Sequence, residues 1–198
     1  MLDITSGLPW AATGQTLCQA PRRGHAPSIR SATETDLDAI TAIYAEQLQA
    51  GLGSWEATVP DRAVMAERFA AVRGAGLPWL VATDQADNIL GFTHARPFRA
   101  LSAYRGTVED CIHVARTARG RGVGSCLLEA LIQLCAARGY RQMIAVIGDA
   151  RNTTSIALHE RSGFKICGVL PGAGEKSGEP VDVVLMQRTL PHTMGGRA

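Results

Sequence analysis

The sequence predicts an α/β (α+β layered) domain, a mixed central sheet of about seven strands with helices packed on its faces. Three observations lead there. Short apolar runs separated by turn residues mark a β-meander in the middle of the chain, and amphipathic helical segments lie before and after it. The length of 198 residues suits one hydrophobic core rather than two.

The elements follow in order. Residues 28–31 read as a short strand, and Thr33 as the cap of a helix over residues 34–49, with Leu37, Ile40, Ala42, Ile43, Tyr44 and Leu48 marking its apolar face. Gly51, Gly53 and Ser54 cannot continue that helix, so residues 51–56 form a loop. A second helix follows Pro60, turns Val64, Met65, Phe69 and Val72 inward, and stops at Gly74-Ala75-Gly76, where helix propensity collapses. Residues 78–83 and 89–98 form a hairpin across a turn at 84–88, and residues 107–115 add the third strand of the meander.

A helix over residues 121–138 carries Val123, Leu127, Leu131, Leu134 and Cys135 on one stripe and ends at Gly139. Residues 141–147 are almost purely apolar after the first two, as expected of a central strand covered on both faces. A short helix over residues 154–161 ends at Gly163, and a strand follows over residues 164–170. A Gly/Pro/Glu-rich loop then leads to a last strand over residues 181–188. Residues 1–27 show no periodicity and read as a flexible extension, residues 28–190 as the folded domain, and residues 191–198 as a tail.

Composition narrows the function. Apolar residues at 46% and charged residues at 19% describe a globular chain and not a disordered one. With 20 basic against 18 acidic residues the net charge is +2, too small a surplus for a nucleic-acid partner. No apolar run approaches bilayer length, and residues 1–20 contain Asp3 and Pro9 without a basic start and apolar stretch, so neither a membrane span nor a secretory signal is expected. Five cysteines form no CxxC pair and read as reduced thiols of a cytoplasmic protein, with no metal site.

The segment from Val114 to Ser125 is the richest. Gly120, Gly122 and Gly124 let the backbone turn tightly and bare its N–H groups at the start of a helix, where Val123 and Ser125 add unpaired amides and Arg119 and Arg121 add charged donors. A phosphate or pyrophosphate is the natural guest. A Walker loop would need Gly-Lys-Ser/Thr, and no Lys is present; the spacing Gly120-x-Gly122-x-Gly124 also fails the dinucleotide fingerprint.

Arg119-x-x-Gly122-x-Gly124 resembles the pyrophosphate loop of the GNAT superfamily of acyl-CoA N-acyltransferases, and the element order fits that fold. More narrowly, Ser54-Trp55-Glu56, Tyr104-Arg105-Gly106-Thr107-Val108-Glu109-Asp110, Ala145-Val146-Ile147-Gly148-Asp149-Ala150 and Leu158-His159-Glu160 are similar to stretches of the phosphinothricin N-acetyltransferase family. The resemblance spans residues 28–190. It implies transfer of an acetyl group from acetyl-CoA, with no metal, to the amine of a small amino acid or analogue. Phosphinothricin, methionine sulfoximine and methionine sulfone are acceptors of that type. It also implies a homodimer.

The chemistry assigns roles. An ammonium must lose a proton before it attacks a thioester, and Glu109 matches the family's proposed general base; Asp110 alternates to the opposite face and is the weaker candidate. A backbone N–H around Ile112-His113-Val114 is expected to stabilise the thioester oxyanion, with pantetheine in the gap toward residues 145–147. His159 reads as an acid for the departing thiolate, as a relay partner of Glu109, or as a structural residue. Asn152 caps the following helix and matches a coenzyme A contact. Tyr104 and Arg105 match the acceptor-binding pair, a guanidinium being suited to an α-carboxylate. Phe92, with Tyr44 and Trp55, is a candidate lining of the pocket or else core.

One stretch departs from the family pattern. Residues 174–182 carry Glu175, Ser177, Glu179 and Pro180 where relatives have two Phe, Arg and Trp. An altered acceptor specificity is therefore expected. The competing readings are an acetyltransferase for another amine, such as a peptide N-terminus, polyamine or aminoglycoside, and a non-catalytic acyl-CoA-binding protein.

Overall fold

The computed structural model describes residues 26–49, 56, 58–176 and 178–191. The expectations for residues 1–25, 51–55 and 192–198, Trp55 and Cys18 among them, lie outside the described residues. Seven strands form one sheet in the order β1-β2-β3-β4-β5-β7-β6. They are β1 Ser28–Ser31, β2 Trp79–Thr83, β3 Ile89–Pro97, β4 Thr107–Val114, β5 Gln142–Gly148, β6 Lys165–Lys176 and β7 Glu179–Thr189. Four α-helices accompany them: α1 Leu37–Gln49, α2 Arg62–Gly74, α3 Val123–Ala137 and α4 Thr153–Arg161. Every pairing is antiparallel except β4 with β5, whose strands are joined through α3.

Local chemistry fixes the ends. The Thr33 N–H donates to the Asp36 carboxylate at 2.8 Å, and Arg30 grips the same carboxylate at 2.7 Å. This tightens residues 34–36 into a 3-10 turn, so α1 starts at Leu37, three residues later than the sequence pattern predicts. The Asp61 side chain accepts from the Val64 N–H at 2.9 Å and caps α2. Gly139, with φ +82°, takes the left-handed conformation just past α3.

The helices cover the two faces differently. Tyr44 of α1 and Phe69 of α2 pack on a face made by Trp79, Phe92 and His113, with Trp79 and Phe92 stacked at 6.0 Å and Phe92 and His113 at 5.0 Å. Helix α3 buries Val123, Leu127, Leu128, Leu131, Ile132, Leu134 and Cys135 against the other face. Strand β5 buries only alternate residues, Met143, Ala145 and Ile147. The expectation of cover on both faces fails there, because α1 and α2 contact β2, β3 and β4, leaving Ile144 and Val146 half-buried.

The final hairpin is longer than predicted. β6 and β7 remain paired out to Lys176 and Glu179, with irregularities at Ile166/Gly168 and Leu170/Gly174. As the edge strand, β6 needs no partner on its outer side, so Pro171 is tolerated and the irregularities absorb the glycines. The Gly172 N–H donates to Asp182 Oδ1 at 2.9 Å and ties the bulge down. Cys111, Cys135 and Cys167 are free thiols, Cys167 being exposed. Cys126, buried on α3, is disulfide-bonded, which corrects the reading of all cysteines as reduced. Among the described residues no helix is long and apolar enough to cross a membrane.

Gly91 holds β3 against β4. A Cβ there would lie 2.7 Å from the His113 carbonyl oxygen, a backbone atom that cannot yield. Gly91→Ala is expected to destabilise the fold by about 1–3 kcal/mol, the usual scale of overpacking. In thermal melts this should appear as a lowered Tm; an unchanged Tm would contradict the packing described.

Candidate active site

The parallel pairing of β4 and β5 lasts for three residues, Thr107↔Gln142, Val108↔Met143 and Glu109↔Ile144. Beyond them β4 stays paired with β3 and β5 with β7, so a gap opens between two central strands. The backbone facing this gap can be worked out from its neighbours. Phe98 N–H donates to Thr107 O at 3.3 Å, and Ala115 N–H to Leu90 O at 2.9 Å, with an unbroken register between them. Alternation therefore turns the backbone groups of Glu109, Cys111 and His113 toward β3, and those of Ile112 and Val114 toward the gap. Of the expected oxyanion donors, Ile112 and Val114 turn their N–H groups toward the gap. His113 is removed from that role, because its own N–H faces the β3 side and its ring is buried between Phe92 and Tyr44.

At the far end of β4 a 3-10 turn over Arg116–Ala118 leads into the glycine loop. Gly120 and Gly122 have φ of +71° and +80°, values at which a side chain would be strained. Arg119, Gly120, Arg121 and Gly122 are exposed. The first α-helical bond at this end runs from Cys126 N–H to Gly122 O at 3.1 Å, so the amides of Val123, Gly124 and Ser125 precede it without helical acceptors. A Cβ on Gly124 would lie 3.3 Å from Leu158 and 3.5 Å from Val114, so the first turn of α3 is pressed between α4 and the end of β4. The donors thus converge at the mouth of the gap, with the positive end of the helix dipole behind them. This donor set and its exposure fit a pyrophosphate.

The two adjacent acids of β4 face opposite sides of the sheet. Glu109 is buried and lies across from Arg96 of β3, whose Nη2 is 2.5 Å from Glu109 Oε1. Asp110 meets His159 of α4, Nε2 to Oδ2 at 3.0 Å, both side chains 2% exposed. The other ring nitrogen of His159 lies 2.8 Å from the Ser155 carbonyl. Both nitrogens face acceptors, so both carry protons and the ring is an imidazolium. Burial opposes that charge, but the Asp110 hydrogen bond and charge, with the Ser155 carbonyl, outweigh it and hold the His159 pKa above its ordinary 6.5. His159 is paired with Asp110, and the relay to Glu109 is not formed; the two lie on opposite faces of β4.

Other expected residues are distributed unevenly. Asn152 caps α4, its side chain accepting from Ser155 N–H at 3.2 Å. It follows Asp149, which takes φ +72° and is held by Arg151 at 2.7 Å. Tyr104 and Arg105 lie in the exposed β3–β4 connection, where Tyr104 packs edge-on against Phe98 at 5.8 Å. Among the described residues Arg105 makes no side-chain hydrogen bond or ion pair, and Tyr104 makes none to Glu109. Phe92 is 1% exposed and belongs to the core, correcting its candidacy as a pocket residue. Arg96 was missed by the sequence reading, although the predicted hairpin contained the signal: pairing the strands outward from their connection sets it opposite Glu109.

This fold, with central strands parted beside a glycine-rich helix start, defines an acyl-CoA-dependent acetyltransferase domain. The profile of the acetyltransferase (GNAT) domain matches residues 29–185, and the chain belongs to that family; the protein is an acetyl-CoA-dependent N-acetyltransferase. It is 46% identical to the phosphinothricin N-acetyltransferase of Alcaligenes faecalis over 82% of each chain. It is 39% identical to an L-methionine sulfoximine/L-methionine sulfone acetyltransferase of Pseudomonas aeruginosa, over 84% of this chain and 96% of the relative. The crystal structure of a GNAT superfamily phosphinothricin acetyltransferase from Sinorhizobium meliloti in complex with AcCoA aligns with a TM-score of 0.82 and 41% identity, covering 87% of this chain and 94% of that one.

The buried Asp110–His159 pair makes a pH prediction. Because the folded pKa of His159 is raised, its contribution to stability is full below pH 6.5, the unfolded value, and is lost as pH rises through the folded value. Denaturant melts should show this decline in the wild type and its loss in Asp110→Asn. Asp110→Ala, which strands the imidazolium, should cost about 3–5 kcal/mol.

Proposed function

We propose that the enzyme acetylates the α-amine of a small amino acid or amino-acid analogue, of the phosphinothricin, methionine sulfoximine or methionine sulfone type. The observation that carries this reading is a buried carboxylate, Glu109, at the residue where β4 leaves β5. Relatives named for such acceptors, 39% and 46% identical over most of the chain, support it.

The residues divide the work as follows. Amides of residues 120–125, with Arg119 and Arg121, hold the pyrophosphate of acetyl-CoA, and Asn152 at the start of α4 lines the same side. Glu109 takes one proton from the acceptor ammonium, directly or through one water, and passes it to solvent. The freed amine nitrogen bonds to the acyl carbon, whose oxygen gains charge opposite the Ile112 or Val114 N–H. Collapse breaks the carbon–sulfur bond; the thiolate leaves and takes up the proton still carried by nitrogen. His159 acts as a structural group that fastens α4 beneath β4. Tyr104 and Arg105 remain the proposed outer wall of the acceptor site.

Two further parts of the reading concern surroundings. The edge strand β6 exposes Ile166, Val169 and Leu170, and this open edge supports a homodimer. Size-exclusion chromatography with light scattering should give twice the chain mass, falling to the single mass in Val169→Lys. The acidic and proline substitutions at residues 174–182 support an altered acceptor preference. A cytoplasmic location fits the acetyl-CoA supply.

The test is a free-CoA release assay with phosphinothricin, methionine sulfoximine, methionine sulfone, common amino acids, a peptide, a polyamine and an aminoglycoside. Turnover should be highest on one of the amino-acid-type acceptors. Glu109→Gln should lower kcat by about 10²–10⁴, the usual contribution of a general base. Acetyl-CoA affinity in calorimetry should stay near that of the wild type. Undiminished turnover by Glu109→Gln removes it from its role, and preference for the polyamine or peptide replaces the acceptor class.

A further inference from the structure

Resting on that acceptor reading, we propose that Arg96 reads the acceptor's carboxylate and, by moving to it, frees Glu109 to act as base. Arg96 and Glu109 are direct cross-strand partners, and their ion pair at 2.5 Å is the only one Glu109 makes among the described residues. The two ends differ sharply in exposure: the Glu109 side chain is 8% exposed and that of Arg96 57%. While Glu109 Oε1 accepts from the guanidinium, an incoming ammonium must compete with Arg96 for that carboxylate. A guanidinium has five N–H donors in a planar fork, and only one is used on Glu109. With the side chain 57% exposed, an incoming carboxylate can engage two of the others at once.

The surroundings leave these two charges dominant. On the same face His94 and Cys111 are uncharged at neutral pH, burial pushing His94 down to about 3 and Cys111 up to about 12. The other nearby guanidinium, Arg68 of α2, is already taken by Glu56 at 2.7 Å and sits over Tyr44, 5.8 Å from the ring centre. Arg105, the residue the sequence favours for the carboxylate, makes no hydrogen bond or ion pair with Glu109 among the described residues. Arg96 is therefore both the available carboxylate clamp and the group that holds the base in check. A zwitterionic acceptor satisfies the site in one motion, its carboxylate replacing Glu109 on the guanidinium and its ammonium meeting the released carboxylate. An amine without a carboxylate leaves Arg96 on Glu109 and reacts slowly.

The experiment compares L-methionine sulfone with its α-carboxamide, using wild type, Arg96→Gln, Arg96→Lys and Glu109→Gln. Wild type should favour the acid over the carboxamide by more than about 10-fold in kcat/KM, the scale of one charge-assisted contact. In Arg96→Gln the acid should lose about 10-fold or more, mostly through KM, while kcat for the carboxamide rises because Glu109 is no longer held. Arg96→Lys should restore part of the preference for the acid. Glu109→Gln should depress both substrates. Equal losses on both substrates in Arg96→Gln, with acetyl-CoA binding retained, overturn the role of Arg96. If Arg96→Gln does not fold, a full wild-type preference in Arg96→Lys with no gain on the carboxamide overturns it instead. Failure of the wild type to acetylate any carboxylate-bearing amine refutes the acceptor reading itself, a distinct outcome.

Discussion

Everything in this protein turns on where two parallel strands stop pairing. β4 and β5 share three paired positions and then separate, although both are central strands that would ordinarily be bonded along their length. Backbone groups left without a strand partner in the middle of a sheet are costly unless something else uses them. Here the separation turns the Ile112 and Val114 amides toward the gap, the Val114 carbonyl accepting from Gln47 Nε2 at 2.7 Å, while β3 continues to hold β4 straight. The glycine loop lies at the open end and Glu109 at the closed end. A long, thin thioester is the kind of ligand such a slot accommodates.

The neighbouring acids show how one strand can perform two tasks. The two-residue period of a strand sends Glu109 and Asp110 to opposite faces. On one face the carboxylate meets an exposed guanidinium. On the other it meets a buried imidazolium whose remaining nitrogen is also occupied. The carboxylate proposed to exchange protons with a substrate is itself buried, but its partner Arg96 is open to solvent. The pair that fixes α4, and through it Asn152, is sealed away.

Much of this was legible in the residues. Turn chemistry and apolar periodicity located the seven strands and the main helices, and the glycine loop was legible as a tight turn into α3, where Gly120 and Gly122 take positive φ. Glu109 was recognisable from the motif around it. What escaped depends on contacts between distant segments. The Asp110–His159 pair joins residues far apart in sequence, and nothing local to either names the other. Phe92 looks like a pocket aromatic until its stacking between Trp79 and His113 is known. The β6–β7 hairpin was underestimated because its glycines and prolines mimic a loop, whereas an edge strand tolerates them through bulges.

The short β4–β5 ladder also has a mechanical meaning. β1 through β4 form one half of the sheet and β5 through β7 the other, and the direct strand-to-strand seam between them is those three rungs. The seam acts as a fulcrum, with α3 as the strap across one side. A molecule lodged in the cleft touches both leaves at once, so its affinity is added to the cohesion of the whole sheet and not to one half alone. On the proposed placement of acetyl-CoA, the catalyst is completed, as a solid body, by the reactant it consumes.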